Sequence, residues 1–352
     1  MKFKKKHLAY LTKNISWKRK LKVLEWNLRQ HDLWGPFPLY AKIEIDQRCN
    51  LKCPKCYRNE VVNNKFMTMS QFKTVLDKLG SGLCEVWTHG FGEPTFHPDF
   101  IPMMAEVVDR GMTWGLATNG ATKFFNNDQN IMQMLWYQPT KIRFSVDAAT
   151  KTEFERERFP AKYDKVMGNI RNVVATRNEM YPNVKDKNRP RIDLYCVLTM
   201  QTLDQIGPMI ELRDELGCDW ITFSDLAWNN NYGTSIADNA VRQMMTTEEI
   251  EKMIVPYKDL PKVNFNIPRP EQRTCDYPKK HIYIDAEGWI YPCTCVPGKE
   301  FPLGNIFSEI TDIKEVYQGD NYNKFRKLSE TGHIKSDECF RCLQWGPDMS
   351  DV

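Results

Sequence analysis

Between residues 39 and 228 the chain alternates short apolar, β-branched runs with longer stretches whose apolar residues recur at helical spacing. The short runs predict strands over residues 41–45, 85–88, 113–117, 141–146, 191–198 and 220–224. The longer ones predict helices over residues 70–79, 99–110, 129–136, 163–180 and 203–216. Strands separated in this way by helices form βαβ units, hence a parallel sheet and an α/β fold. In such sheets ligands sit at the carboxyl ends of the strands. The polar motifs fall there: the first strand runs into a cysteine loop and the second into His89-Gly90-Phe91-Gly92-Glu93-Pro94. The third runs into Thr118-Asn119-Gly120, and the fourth into Ser145-Val146-Asp147.

Two further segments flank this alternation. Residues 1–38 carry a roughly helical apolar set, including Leu21, Leu24 and Leu28, and end at the breaker Trp34-Gly35-Pro36. Near the other end, alternating apolar residues on both sides of Glu287-Gly288 predict a hairpin over residues 280–292.

Charge sharpens the first of these. Residues 1–40 carry ten Lys or Arg against Glu25 and Asp32, so the net +4 of the chain divides into +8 here and −4 elsewhere. Two readings stand: an amphipathic helix capping the main domain with its lysines in water, or an arm over residues 1–35 gripping nucleic acid or another anionic substrate. With 352 residues, 41% hydrophobic and 27% charged, and no apolar run long enough to cross a bilayer, the expectation is a cytoplasmic protein with no membrane contact.

Cysteines carry the chemistry. Eleven in this length are sparse and odd in number, which disfavours a disulfide framework and favours metal binding in a reducing compartment. Cys49, Cys53 and Cys56 lie within eight residues, directly after the first strand. Cubane iron–sulfur clusters are usually held by four thiolates, so three leave one iron open for chemistry. Zinc needs a closed set of four, and the nearest histidines in sequence, His31 and His89, are remote. A second set, Cys275, Cys293, Cys339 and Cys342, is complete, and by itself reads as structural zinc on a hairpin and a Cys-x2-Cys knuckle. Cys84 and Cys218 precede strands and read as buried small hydrophobes.

With these motifs in this order, the chain resembles the radical S-adenosylmethionine (radical SAM) superfamily over roughly residues 39–228. The resemblance implies a partial (β/α)6 TIM-type barrel, with a small C-terminal hairpin-plus-helix iron–sulfur domain. It implies that Cys49, Cys53 and Cys56 hold a [4Fe–4S] cluster whose open iron binds SAM. Reductive cleavage of SAM, fed by a one-electron donor such as flavodoxin or ferredoxin, then yields a 5′-deoxyadenosyl radical that abstracts hydrogen from substrate. Gly90, Gly92, Glu93 and Pro94 resemble the motif that contacts the methionine amino group, with Phe91 where glycine is usual. Ser145 and Asp147 resemble the ribose-contacting pair, and Thr118 and Asn119 line the same mouth. Arg158, with Arg156 as alternative, resembles the partner of the SAM carboxylate. One departure is Lys55, where the family usually has an aromatic residue that helps place adenine.

The second cysteine set resembles a twitch extension, the shortened SPASM form, carrying one auxiliary [4Fe–4S] cluster. The implied organisation is a basic extension (1–38), the barrel (39–228), a bridging segment (229–270) and the cluster domain (271–352). Cys196 and Cys295 are candidate hydrogen-atom donors or packed thiols, with Cys295 also an alternative cluster ligand, and His89 is a candidate base. The reaction expected is oxidation, isomerisation or epimerisation of a small sugar- or nucleotide-like substrate. The alternatives are a base in nucleic acid and a peptide, the arm of 38 residues being short for the peptide-recognition domain that peptide maturases usually carry. An electron-transfer or redox-sensing protein is the non-enzymatic rival, and it would need four ligands on the first cluster.

Overall fold

A computed structural model describes residues 15–29, 35–56, 58, 63–226, 245–267, 277–294, 302–308 and 312–331. Its centre is a nine-stranded sheet among these residues. In chain order the elements are α1 (Trp17–Arg29), β1 (Tyr40–Ile43), α2 (Met69–Leu79), β2 (Glu85–Trp87), α3 (Phe100–Asp109), β3 (Thr113–Thr118) and α4 (Asp128–Trp136). Then come β4 (Lys141–Ser145), α5 (Lys151–Glu157), α6 (Tyr163–Met180), β5 (Arg191–Leu198), α7 (Ile206–Glu215) and β6 (Trp220–Asp225). The chain continues with α8 (Thr247–Ile254), β7 (Val263–Asn266), β8 (His281–Ile284), β9 (Ile290–Tyr291), α9 (Ile313–Tyr317) and α10 (Asp320–Thr331).

The sheet order is β7-β6-β5-β4-β3-β2-β1-β8-β9, parallel throughout except for the final hairpin β8–β9. The six predicted strands occupy its middle in sequence order, an unclosed partial barrel. Two additions were not foreseen. β7, from the segment expected only to bridge the domains, pairs with β6. β8, from the C-terminal hairpin, pairs with β1 over Tyr40↔His281 to Ile43↔Ile284, so the cluster domain shares the barrel's own sheet.

Parallel strands buried on both faces usually read as continuous apolar runs. These alternate instead, because their concave face lines a polar cavity. The convex face supplies the core: Ala41, Ile43, Val86, Trp114, Leu116, Ile142, Phe144, Ile192, Leu194, Ile221, Phe223, Ile282 and Ile284 are all fully buried against the helices. Cys84 and Cys218 are buried as expected, and Cys196 belongs to the same helix-side core.

The basic helix α1 packs where the strands begin, not at the mouth. Val23 and Trp26 join Phe37, Leu39, Tyr40 and Cys84 in a satellite core. Arg19 donates to the carbonyls of Arg110 (3.1 Å), Ser81 (3.2 Å) and Leu83. The capping reading therefore holds for residues 15–29, while residues 1–14 lie outside the described residues.

One small residue sets the interior width. A Cβ on Gly115 of β3 would lie 2.5 Å from the Trp87 indole on the neighbouring strand, so only glycine leaves room for that ring. Gly115→Val should destabilise the protein by about 2 kcal/mol or more through overpacking, measured as the midpoint of denaturant unfolding; an unchanged midpoint would show that the indole moves freely.

Candidate active site at the carboxyl ends of the strands

A cavity of about 360 Å³ opens at the carboxyl ends of β1 to β5. Cys49, Cys53 and Cys56 line it, together with His89 to Glu93, Thr118, Asn119, Arg143, Ser145, Arg158, Tyr195 and Thr294. The loops predicted to meet do meet.

The cysteine loop is held by hydrogen bonds from both sides. The Arg48 carbonyl accepts from the Glu93 N–H at 2.9 Å, and the Lys52 N–H donates to the Phe159 carbonyl at 2.7 Å. Two donors point at one thiol: the Leu51 N–H lies 3.4 Å and Asn119 Nδ2 3.6 Å from Cys49 Sγ. Donors aimed at sulfur suit a thiolate ligand of an iron–sulfur cluster. Without a metal, burial and then Glu93 push the Cys49 thiol up to about 12, and burial raises Cys53 too. A coordinated metal reverses that preference. Among the described residues no three His, Cys, Asp or Glu side chains converge on a point that would hold one metal ion.

The glycine motif is braced by a carboxylate that the sequence pattern did not single out. Glu44, just past β1, accepts from the N–H groups of Phe91 and Gly92 (3.2 Å), and its other oxygen accepts from the Tyr283 hydroxyl of β8 at 3.0 Å. A Cβ on Gly90 would lie 2.4 Å from the Glu44 carboxylate, and one on Gly92 2.0 Å from the Asp46 carbonyl. That contact geometry explains both glycines and leaves Phe91 tolerable between them. Burial, partly offset by the Phe91 N–H and reinforced by Asp285, pushes the Glu44 carboxyl up to about 7.

Glu93 and Asp147 also brace rather than reach out. Glu93 Oε1 accepts from Thr95 N (3.1 Å), Thr95 Oγ1 (2.7 Å) and Thr118 Oγ1 (2.7 Å), and Oε2 from the Asn119 N–H (2.7 Å). What the motif offers the cavity is backbone. Pro94 is buried in the 3-10 turn behind it, not at the cavity wall. The expected ribose contact from Asp147 is corrected: fully buried, it accepts from the Val197 N–H (2.8 Å) and pairs with Lys55 (2.9 Å) and Arg158. Although burial opposes it, Arg158 and then Lys55 hold that carboxyl below the ordinary range.

Lys55 thus has a structural reason to replace an aromatic residue. It also lies 3.1 Å from Glu157 and donates to the Val197 carbonyl at 3.3 Å, pinning the cysteine loop to β5 and α5. Of the two arginines, Arg158 lines the cavity, while Arg156 is largely exposed and pairs with Glu153 and Glu157 (3.2 Å). Ser145 lines the wall as expected. His89 does too, and burial followed by Lys42 and Arg143 drives its pKa well below the usual value, so the imidazole is neutral. Cys196 is corrected: Tyr195 and Val197 face the cavity, so the alternation of β5 turns Cys196 to the helices, where burial raises its thiol pKa. It is not placed to meet a substrate. Of the second cysteine set only Cys293 is described, buried at the end of the hairpin with Thr294 reaching the cavity; Cys275, Cys295, Cys339 and Cys342 lie outside the described residues.

Family comparison decides what this arrangement is. Residues 43–213 match the radical SAM superfamily model, and residues 275–343 match the SPASM iron–sulfur cluster-binding domain. The chain belongs to the radical SAM superfamily. A radical SAM enzyme binds a [4Fe–4S] cluster and SAM in its barrel, and its SPASM domain binds auxiliary iron–sulfur. Among relatives, the chain is 22% identical over 317 residues to the tungsten-containing aldehyde ferredoxin oxidoreductase cofactor-modifying protein of Pyrococcus furiosus, covering 83% of this chain and 84% of the relative. It is 20% identical over 319 residues to the PqqA peptide cyclase of Methylorubrum extorquens, covering 82% and 76%. In fold it is similar to Streptococcus suis SuiB bound to S-adenosylmethionine, with TM-score 0.65, 13% identity and coverage of 92% and 76%, and to SuiB bound to precursor peptide SuiA, with TM-score 0.63, 14% identity and coverage of 93% and 74%. No helix among the described residues is long and apolar enough to cross a membrane.

Two substitutions test this radical SAM site. Lys55→Met leaves Glu157 without its buried cation and should cost about 3 kcal/mol, with less iron retained per chain after anaerobic reconstitution; full iron retention would show the pin is dispensable. The Glu44 carboxyl titrates higher folded than unfolded, so the folded state holds the extra proton and stability falls as pH rises from about 4.5 to about 7. Glu44→Gln should flatten that decline in the anaerobic melting temperature, leaving the smaller part due to Asp285, whose carboxyl burial raises to about 6; an unaltered slope would exclude Glu44 as its source.

Proposed function

We propose that this radical SAM enzyme oxidises a residue within a peptide, passing the substrate's electron to the auxiliary cluster of its SPASM domain. The observation that carries the reading is that one cavity is bordered both by the three-cysteine loop and by Thr294, the residue after Cys293. That arrangement supports a reading in which radical generation and an electron acceptor flank one substrate. The peptide assignment is supported by the PqqA peptide cyclase and by SuiB with its precursor peptide. It displaces the sugar- or nucleotide-like substrate expected from sequence. The Pyrococcus furiosus relative, a cofactor-modifying protein, keeps a cofactor-bound substrate as the second reading.

Bound at the three thiols, the cluster and SAM supply a 5′-deoxyadenosyl radical. The chain's residues then have separable tasks. Cys49, Cys53 and Cys56 hold the cluster, and Asn119 steadies Cys49 through its amide. The backbone of residues 90–93, fixed by Glu44 and Glu93, receives the methionine amino group, while Arg158 and Ser145 take the carboxylate and ribose. His89, held neutral by burial and by Lys42 and Arg143, lines the cavity as a hydrogen-bonding group. Cys293, with Cys275, Cys339 and Cys342, holds the auxiliary cluster. Residues 15–29 pack at the far end of the strands from the cavity.

Anaerobic reconstitution should yield about eight irons per chain and reductive cleavage of SAM to 5′-deoxyadenosine. Cys53→Ala should abolish cleavage, whereas Cys293→Ala should leave about four irons with cleavage retained. Intact SAM in the wild type would sink the reading. Deuterium should pass into 5′-deoxyadenosine from side-chain-labelled peptides; label arriving only from small cofactors would favour the second reading.

A further inference from the structure

The carboxylates around the mouth are all engaged. Glu44 and Glu93 accept from backbone and hydroxyl donors, and Asp147 is paired with Lys55 and Arg158. One cation facing the cavity is not. Arg143, on the concave face of β4, makes no hydrogen bond or ion pair among the described residues, and its Nε is buried without a partner. Its guanidinium lies between two aromatic rings, 4.8 Å from the Tyr195 centroid and 5.5 Å from that of Trp87. Asp193, directly opposite Arg143 across the β4–β5 pair, is engaged by Arg191 at 2.6 Å and Lys141 at 3.7 Å. Lys42 lines the same cavity from β1.

A guanidinium withdrawn from water is costly where no hydrogen-bonded anion offsets its desolvation, and Asp193, the cross-strand neighbour of Arg143, is already shared by Arg191 and Lys141. The two aromatic faces hold its plane, so the donor fork is preset for a planar, two-oxygen acceptor. SAM has its own arginine: Arg158 stands at the cysteine loop, whereas Arg143 lies two residues below Ser145, roughly 7 Å farther into the barrel. That is the side from which a substrate would meet the radical.

We propose that Arg143 binds a carboxylate of the substrate, with Lys42 adding a second positive charge, so that the enzyme selects peptides presenting an acidic group next to the reacting carbon. This rests on the peptide reading above and narrows it. The pocket floor, not the barrel rim, then sets specificity.

The test uses the anaerobically reconstituted holoenzyme with SAM, titrated with N-acetylglutamate N-methylamide and with its carboxamide counterpart, N-acetylglutamine N-methylamide. The carboxylate probe should bind about tenfold tighter or better. Arg143→Met should erase that preference and Arg143→Lys should keep part of it. N-acetylalanine, with a terminal carboxylate, distinguishes a side chain from a chain end as the source; tighter binding by either carboxylate supports the proposal. Equal binding of the carboxylates and the carboxamide, binding by none, or a preference surviving Arg143→Met would overturn it. So would a parallel fall in SAM affinity in Arg143→Met, which would assign the arginine to SAM. Wild-type protein that fails to cleave SAM would instead sink the parent reading, since probe binding is scored without turnover.

Discussion

Glu44 is the contact on which the rest of the site depends. Its two oxygens join three segments far apart in sequence: the end of β1, the glycine motif after β2, and Tyr283 on β8. Removing any one of these donors would leave a buried carboxylate short of partners, which costs more than the hydrogen bond itself gains. The same residue excludes a side chain at position 90 and so defines the path of the motif. A barrel edge, a cofactor loop and a cluster domain are thereby made one unit.

A second network works on the opposite wall with charge rather than with neutral donors. Asp147 is fully buried and supports Lys55 from the cysteine loop and Arg158 from the segment after α5. Lys55 and Arg158 are balanced by Asp147 and Glu157, so the network buries its charges as pairs beside the thiols. Burial raises the Cys53 thiol, and Arg158 opposes that rise only in part. The network's part is therefore positional: it fixes the loop, and a bound metal is what turns the buried thiols into thiolates.

Much of this was legible in the residues, and the parts that were not share a physical cause. Period-two alternation located the middle six strands, and the motifs fell after them because loops there must be polar. The parity of β5 would have turned Cys196 away from the cavity had it been counted from Tyr195. Glu44 passed unnoticed because one more polar residue in an alternating strand looks ordinary; its partners are 47 and 239 residues away. Lys55 looked like a defect in a motif for the same reason, since Asp147 and Glu157 are distant in sequence. Ser145 and Asp147 matched one pattern, yet only Ser145 sits at the wall, because side-chain direction past the strand end is set by tertiary contacts. β7, Val263–Asn266, was missed because it lies in a segment read only as a bridge and is joined to the sheet by its pairing with the distant β6.

The parallel pairing of β8 with β1 has a temporal consequence. The first strand of the barrel acquires one of its two neighbours only from residues 281–284, so the cofactor loop is braced on both sides only after most of the polypeptide has been synthesised. Contacts of such long sequence separation form late in folding. A nascent chain would expose the three cysteines well before their supporting carboxylate has all its partners. Completion of the cofactor loop's surroundings is thereby tied to the C-terminal hairpin.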